Sequence, residues 1–207
     1  AAYQEAYNKY YKAQEYYNTY IEPSAILSAM AGFDKLVNGI VEKINNILCP
    51  EKSEVRNNPY MAPDGTEIQA DIYTYNSVSQ QVLFDRYGRE VTGTDNGDGT
   101  YSFSSGEKLY MSFGGAEVPV DSYTYSMLDM DKTGYGMDDD KTVGTELFSR
   151  KGTDRYIKTT DDSGKTIYIR NNLNETDYES LYKLGNLQIN PEAAQNVGKI
   201  PLSTVQG

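Results

Sequence analysis

The hydrophobic pattern of this chain changes period at Pro50, and that change limits the folds open to it. Before it, Ile26, Met30, Phe33, Val37, Ile40, Ile44 and Ile47 recur at alternating spacings of four and three, thickened by Leu27, Leu36, Val41 and Leu48. That is the stripe of an amphipathic helix. An earlier run from Ala2 to Tyr20 has no Gly or Pro and sets Tyr3, Tyr7, Tyr10, Gln14, Tyr17 and Ile21 on one helical face. With a short joint at Pro23 and Ser24, the two predict an antiparallel helical hairpin, a partial bundle that needs further helices to cover its apolar stripe. Val37, Ile40 and Ile44 are the expected core rungs. The same seam suits an oligomeric coiled coil, but Gly32 and Gly39 interrupt its helix-forming surface and favour the bundle.

After a loop carrying Pro59 and Pro63, the period becomes two. Strand patterns appear in TEIQADIYTY, QQVLFDRY, GTYSFSS, EKLYMSFGG and AEVPVDSYTY, and RYIKTTDDSGKTIYIR reads as a hairpin turning at Asp162, Ser163 and Gly164. A helical signal in TDYESLYK, a strand NLQIN, a Pro-initiated turn PEAAQ and an extended VGKIPLSTVQG follow. The expected fold class is therefore α+β. Residues 1–50 form a helical hairpin, 51–65 a linker, 66–175 an antiparallel β domain and 176–207 a short mixed tail returning toward the helices.

Charge and composition exclude several function classes. With 19 basic against 30 acidic residues, the net charge of -11 disfavours a phosphate backbone, so no nucleic-acid partner is expected. The absence of histidine removes Ser-His and Cys-His nucleophiles and most zinc chemistry. Cys49 is the single cysteine, closes an apolar helical run and reads as a small buried hydrophobe. No stretch approaches the ~20 apolar residues of a membrane span, and no signal peptide is evident, so no membrane partner is expected. The chain begins within a helical pattern at Ala1 and reads as a piece of a longer protein.

Two oxygen-rich stretches invite a metal reading. In DMDKTGYGMDDD, Asp129, Asp131, Thr133 and Gly134 fall at the first, third, fifth and sixth places of a calcium loop. Met137 then occupies the ninth place, Asp140 replaces the bidentate Glu of the twelfth, and no amphipathic helix flanks the stretch. Asp95, Asn96 and Asp98 fit a tight turn entering a strand. No catalytic, cofactor-binding or metal residue is assigned, no cofactor is expected, and the chain is read as not an enzyme. The acidic count alone permits a carboxylate glycoside hydrolase and no paired motif supports one; its carboxylates are recognised by their separation in space, which the sequence does not give.

Three stretches, LVNGIVEKIN from Leu36 to Asn45, GYGMDDDKTVGTELFSRKGTDRY from Gly134 to Tyr156 and LYKLGNLQINPEAAQNVGKIPLS from Leu181 to Ser203, resemble the flagellar hook-associated protein 1 family. Their order and separation also match, so the resemblance spans nearly the whole chain. It implies a structural, extracellular component of the bacterial flagellum, exported by the flagellar secretion apparatus without a cleaved signal peptide and serving motility at the hook-filament junction. Its implied partners are the flagellar hook protein, the next hook-associated junction protein and further copies of itself, self-assembled in a ring. The helical hairpin would belong to a rod-like inner part, with β-rich domains inserted toward the outside. Both terminal segments of the family pattern are missing here, which leaves this piece free to be monomeric. The resemblance reads GMDDDKTVGTELF as a connector with Asp138 to Asp140 as turn and cap residues. A secreted adhesin or carbohydrate-binding module is the alternative, motivated by 20 tyrosines in an acidic β-rich chain.

Calorimetric titration of the chain with calcium is expected to reveal no site tighter than about millimolar, the weak end of the extracellular range. Micromolar binding abolished by Asp129→Ala would overturn that expectation.

Overall fold

The computed structural model describes residues 2–16, 25–172 and 181–203. The chain is mixed α+β with antiparallel sheets. Helices α1 (Ala2–Tyr16) and α2 (Ala25–Leu48) come first. Tyr17, Ile21 and the joint at Pro23 and Ser24 lie outside the described residues, as does most of the TDYESLYK signal. Strands β1 (Glu51–Arg56), β2 (Ile72–Val78), β3 (Val82–Phe84), β4 (Glu90–Thr92), β5 (Thr94–Asp95), β6 (Tyr101–Ser105) and β7 (Ser122–Leu128) follow. Then come β8 (Phe148–Arg150), β9 (Tyr156–Thr160), β10 (Thr166–Arg170), β11 (Leu187–Ile189), helix α3 (Pro191–Gln195) and a 3-10 turn at Val197–Lys199.

Strand β7 organises the main seven-stranded sheet. Strand β1 runs antiparallel along one edge of it, from Glu51 opposite Leu128 to Arg56 opposite Tyr123. Strands β2 and β10 share the other edge end to end, β2 pairing Ile72 with Thr124 and β10 meeting β7 at Ile169 and Met127. Outward from there, β6 and β5 extend the sheet beside β2, and β9 completes a hairpin with β10. Glu51–Arg56 therefore corrects the linker reading of 51–65. Its charged sequence has no apolar alternation, and the ladder with β7 holds it in place of a buried face.

The inward positions of β2 and β7 alternate as a pleat requires, and most of them are tyrosine: Tyr73 and Tyr75 on β2, Tyr123 and Tyr125 on β7. Tyr73 and Tyr123 are direct cross-strand partners with ring centroids 5.8 Å apart, and Tyr60 packs edge-on to Tyr125 at 5.2 Å. The hydroxyls then hold the loops. Ala70 N–H donates to the Tyr73 hydroxyl at 3.1 Å, Leu109 N–H to Tyr75 at 3.0 Å, and Tyr60 N–H to Tyr125 at 3.1 Å. Ile68, Leu83, Phe103, Leu109 and Ile169 fill the space around the rings. A tyrosine-rich core thus supplies apolar bulk and loop anchors together. Tyr73, Tyr75, Tyr123 and Tyr125 are all buried in this way.

Among the described residues, the later turns of helix α2 set Asn38, Val41 and Asn45 against the body, continued by Cys49 just past the helix, and Glu42 and Asn46 beside them also reach it. Val41 is 4% exposed, whereas Ile40, an expected core rung, is 51% exposed, and Val37 and Ile44 are half-buried. The apolar stripe misleads here because the body offers backbone groups and guanidiniums, so a partly polar face is the one that docks. Val41→Asp, which buries an unpaired charge, is expected to cost several kcal/mol in thermal denaturation. Ile40→Asp should stay within about 1 kcal/mol, as an exposed substitution does. Equal losses would mean that the apolar stripe itself packs on the body.

Candidate functional site

A buried constellation of ionisable side chains lies where α2 runs into β1, beside β9 and β10. Glu42 comes from the helix and Glu51 from the first residue of β1, while Arg155 and Arg170 flank the β9–β10 hairpin. Register explains the last pair: Arg170 sits opposite Tyr156, so both guanidiniums emerge from the same end of the hairpin. Arg170 bridges Glu42 at 2.7 Å and Glu51 at 3.0 Å. Arg155, only 1% exposed, reaches Glu51 at 3.2 Å and Glu42 at 3.5 Å and donates to the Asn46 side chain. The Tyr156 hydroxyl donates to Glu51 at 2.8 Å. Two carboxylates and two guanidiniums balance, which is what allows this charge to be buried.

Burial pushes the Glu51 carboxyl up, but the Arg170 and Arg155 guanidiniums and the Tyr156 hydroxyl outweigh it and hold the group below its usual range. Glu146 behaves oppositely. Burial raises it and outweighs the hydrogen bond it receives from Tyr182 at 2.7 Å. Cys49, fully buried beside Leu128 and Tyr156, has its thiol pushed up to about 11, chiefly by burial. That is an inert thiol.

One turn along the helix from Glu42, Asn45 binds the backbone before and within β8. Its amide donates to the Phe148 carbonyl at 2.9 Å, and its oxygen accepts from Leu147 N–H at 2.9 Å and Phe148 N–H at 3.1 Å. One side chain thereby partners three backbone groups at the start of β8. Asn38, on the same helix face, accepts from Tyr182 N–H at 2.9 Å. The tail joins at this point, with β11 pairing β8 from Leu187 opposite Arg150 to Ile189 opposite Phe148.

The residues considered for calcium are engaged elsewhere. Asp129 is buried, bridges Lys132 at 3.0 Å and receives Asp131 N–H at 3.2 Å. The Thr133 hydroxyl donates to Gly144 carbonyl at 2.9 Å, and Asp138 caps the turn at Thr142 through both its oxygens. Asp95, Asn96 and Asp98 make the β5–β6 turn, accepting from Gly97, Ser102 and Thr100. Among the described residues, no three His, Cys, Asp or Glu side chains are gathered as a metal would need. A cleft beside the junction, bordered by Glu146, Arg155, Tyr156 and Asn190, carries both charge signs.

Compared with known proteins, the chain matches no family model, no curated protein and no solved structure. The sequence reading assigned no site, and it missed this junction. Glu42 interrupting an apolar helix was the one visible hint, since a charge on a buried face requires a counter-charge.

Because the native state depresses Glu51, the stability this group contributes is full above the ordinary glutamate range and is lost as pH falls through its lower native value. Glu146 works against this, its raised value favouring the fold at acid pH. Glu51→Gln is expected to cost on the order of 3 kcal/mol at neutral pH, by leaving buried Arg155 short of a partner. It should also flatten the fall in urea-measured stability between about pH 6 and 3. An unchanged acid limb would mean that Glu51 does not govern the junction.

Proposed function

We propose that this chain is part of a structural, non-enzymatic component of the bacterial flagellum, a hook-associated junction protein that joins hook to filament. The observation that carries the reading is spatial. The three stretches that resemble that family are distant in sequence, yet they are the three pieces that meet at the junction: Asn45 on Leu147 and Phe148, Tyr182 on Asn38 and Glu146, and β11 on β8. The likeness therefore concerns a single packed unit.

A structural role also suits what the helices leave open. Met30, Phe33, Leu36, Ile40 and Ile47 of α2 are exposed, as are Tyr7, Tyr10 and Tyr11 of α1. Helices α1 and α2, joined through residues 17–24, would form the hairpin of a rod-like inner part, and neighbouring helices of the full-length protein would cover its stripe. The β sheet is then the outward branch. In this reading the protein is extracellular, passes through the flagellar secretion apparatus without a cleaved signal peptide, self-associates in a ring and contacts the hook protein on one side and the next junction protein on the other.

Gold-labelled antibody raised against this chain is expected to decorate detached flagella of the source bacterium as one band where hook meets filament. Label along the cell body or absent from flagella would reject the assignment.

A further inference from the structure

The chain leaves α2 at Leu48 and Pro50 and returns at Gly198 to Ser203, and a single loop, residues 129–148, holds both crossings. Gly134 N–H donates to Leu48 carbonyl at 2.7 Å, and Asp129 N–H donates to Pro50 carbonyl at 2.8 Å. On the returning side, Tyr135 and Ser203 exchange both backbone bonds, at 2.7 and 3.0 Å, while Met137 N–H donates to Gly198 carbonyl at 2.6 Å. The two sides touch the same residue. A Cβ on Gly134 would fall 2.3 Å from Pro201 carbonyl oxygen and 2.9 Å from Leu48 carbonyl oxygen. A Cβ on Gly144 would fall 2.2 Å from Cβ of Pro201, which is buried between the two glycines. Glycine is required at these positions by space.

We infer that residues 129–148 act as a mechanical clamp that ties the outgoing and returning crossings, so that tension along the helical part bypasses the β sheet. Without the clamp, a pull between α2 and the residues after Ser203 would load β1 first, because β1 follows Pro50 directly and is held by its ladder with β7. With the clamp, the load passes from Leu48 through Gly134 and Tyr135 to Ser203, across bonds separated by one residue. Asn45, gripping Leu147 and Phe148, and Thr133, bonded to Gly144 carbonyl, brace the two ends of the loop. The inference uses contacts within the chain and holds whether or not the flagellar assignment does.

An optical trap pulling the full chain by handles at Ala1 and Gly207 tests it, together with amide exchange on the same proteins. Two variants loosen the clamp: Gly144→Val pushes Pro201 out, and Pro201→Gly removes its ring without adding volume. Both are expected to rupture at lower force than the parent, each residue then released adding roughly 3.3–3.6 Å of contour. Exchange at Tyr135 and Ser203 should quicken by about tenfold or more while Tyr73 and Ile169 stay protected. Should Gly144→Val lose sheet protection, Pro201→Gly decides. Rupture at the parental force in a folded variant would overturn the bypass, and so would loss of sheet protection in both variants, because the clamp would then be inseparable from the sheet.

Discussion

The last carbonyls of an α-helix have no partners within the helix, and at the end of α2 the body of the protein supplies one for Leu48. Much of the architecture answers that requirement. Leu48 carbonyl takes Gly134 N–H and Pro50 carbonyl takes Asp129 N–H, which brings the 129–134 segment under the end of the helix. Asn45 then captures the backbone at Leu147 and Phe148, which fixes the start of β8, and β8 in turn supplies the edge on which β11 pairs. Each step satisfies buried polar groups, and each constrains where the next segment lies.

The charge cluster above this floor does a different job. Replacing a buried ion pair with well-packed apolar side chains is often neutral or stabilising, so Glu42, Glu51, Arg155 and Arg170 are poor candidates for raw stability. Their directional bonds fix position. A helix resting on a purely apolar surface can shift by a turn at modest cost, whereas α2 cannot move without breaking Glu42 from Arg170 and Asn45 from its three backbone partners.

How much of this was legible follows from which forces are local. The Asp162-Ser163-Gly164 turn, the PEAAQ helix and the tyrosine alternation in β7 were readable, because turn chemistry, capping and pleat are written in neighbouring residues. Strand β1 was not, since EKSEVR owes its conformation to a ladder with residues 123–128. The buried side of α2 was misjudged at Ile40 for the same reason: periodicity finds the apolar face, and the body docks a face bearing Asn38 and Asn45. The junction itself assembles groups more than a hundred positions apart, the Asn45 side chain with the Phe148 backbone and Glu51 with Arg155, which local spacing cannot reveal.

Because Leu48 and Pro201 both abut Gly134, the long excursion between them begins and ends at one spot. What lies between is topologically a loop on a closed collar. The part of it that touches neither crossing, the stretch carrying β2 to β6, is therefore free to vary in length without shifting the segments on either side, as loop closure grows costlier only slowly with length once the ends are pinned. Residues 72–105, which carry β2 to β6, could be enlarged, trimmed or replaced while the contacts of Gly134 with Leu48 and Pro201 kept the same geometry.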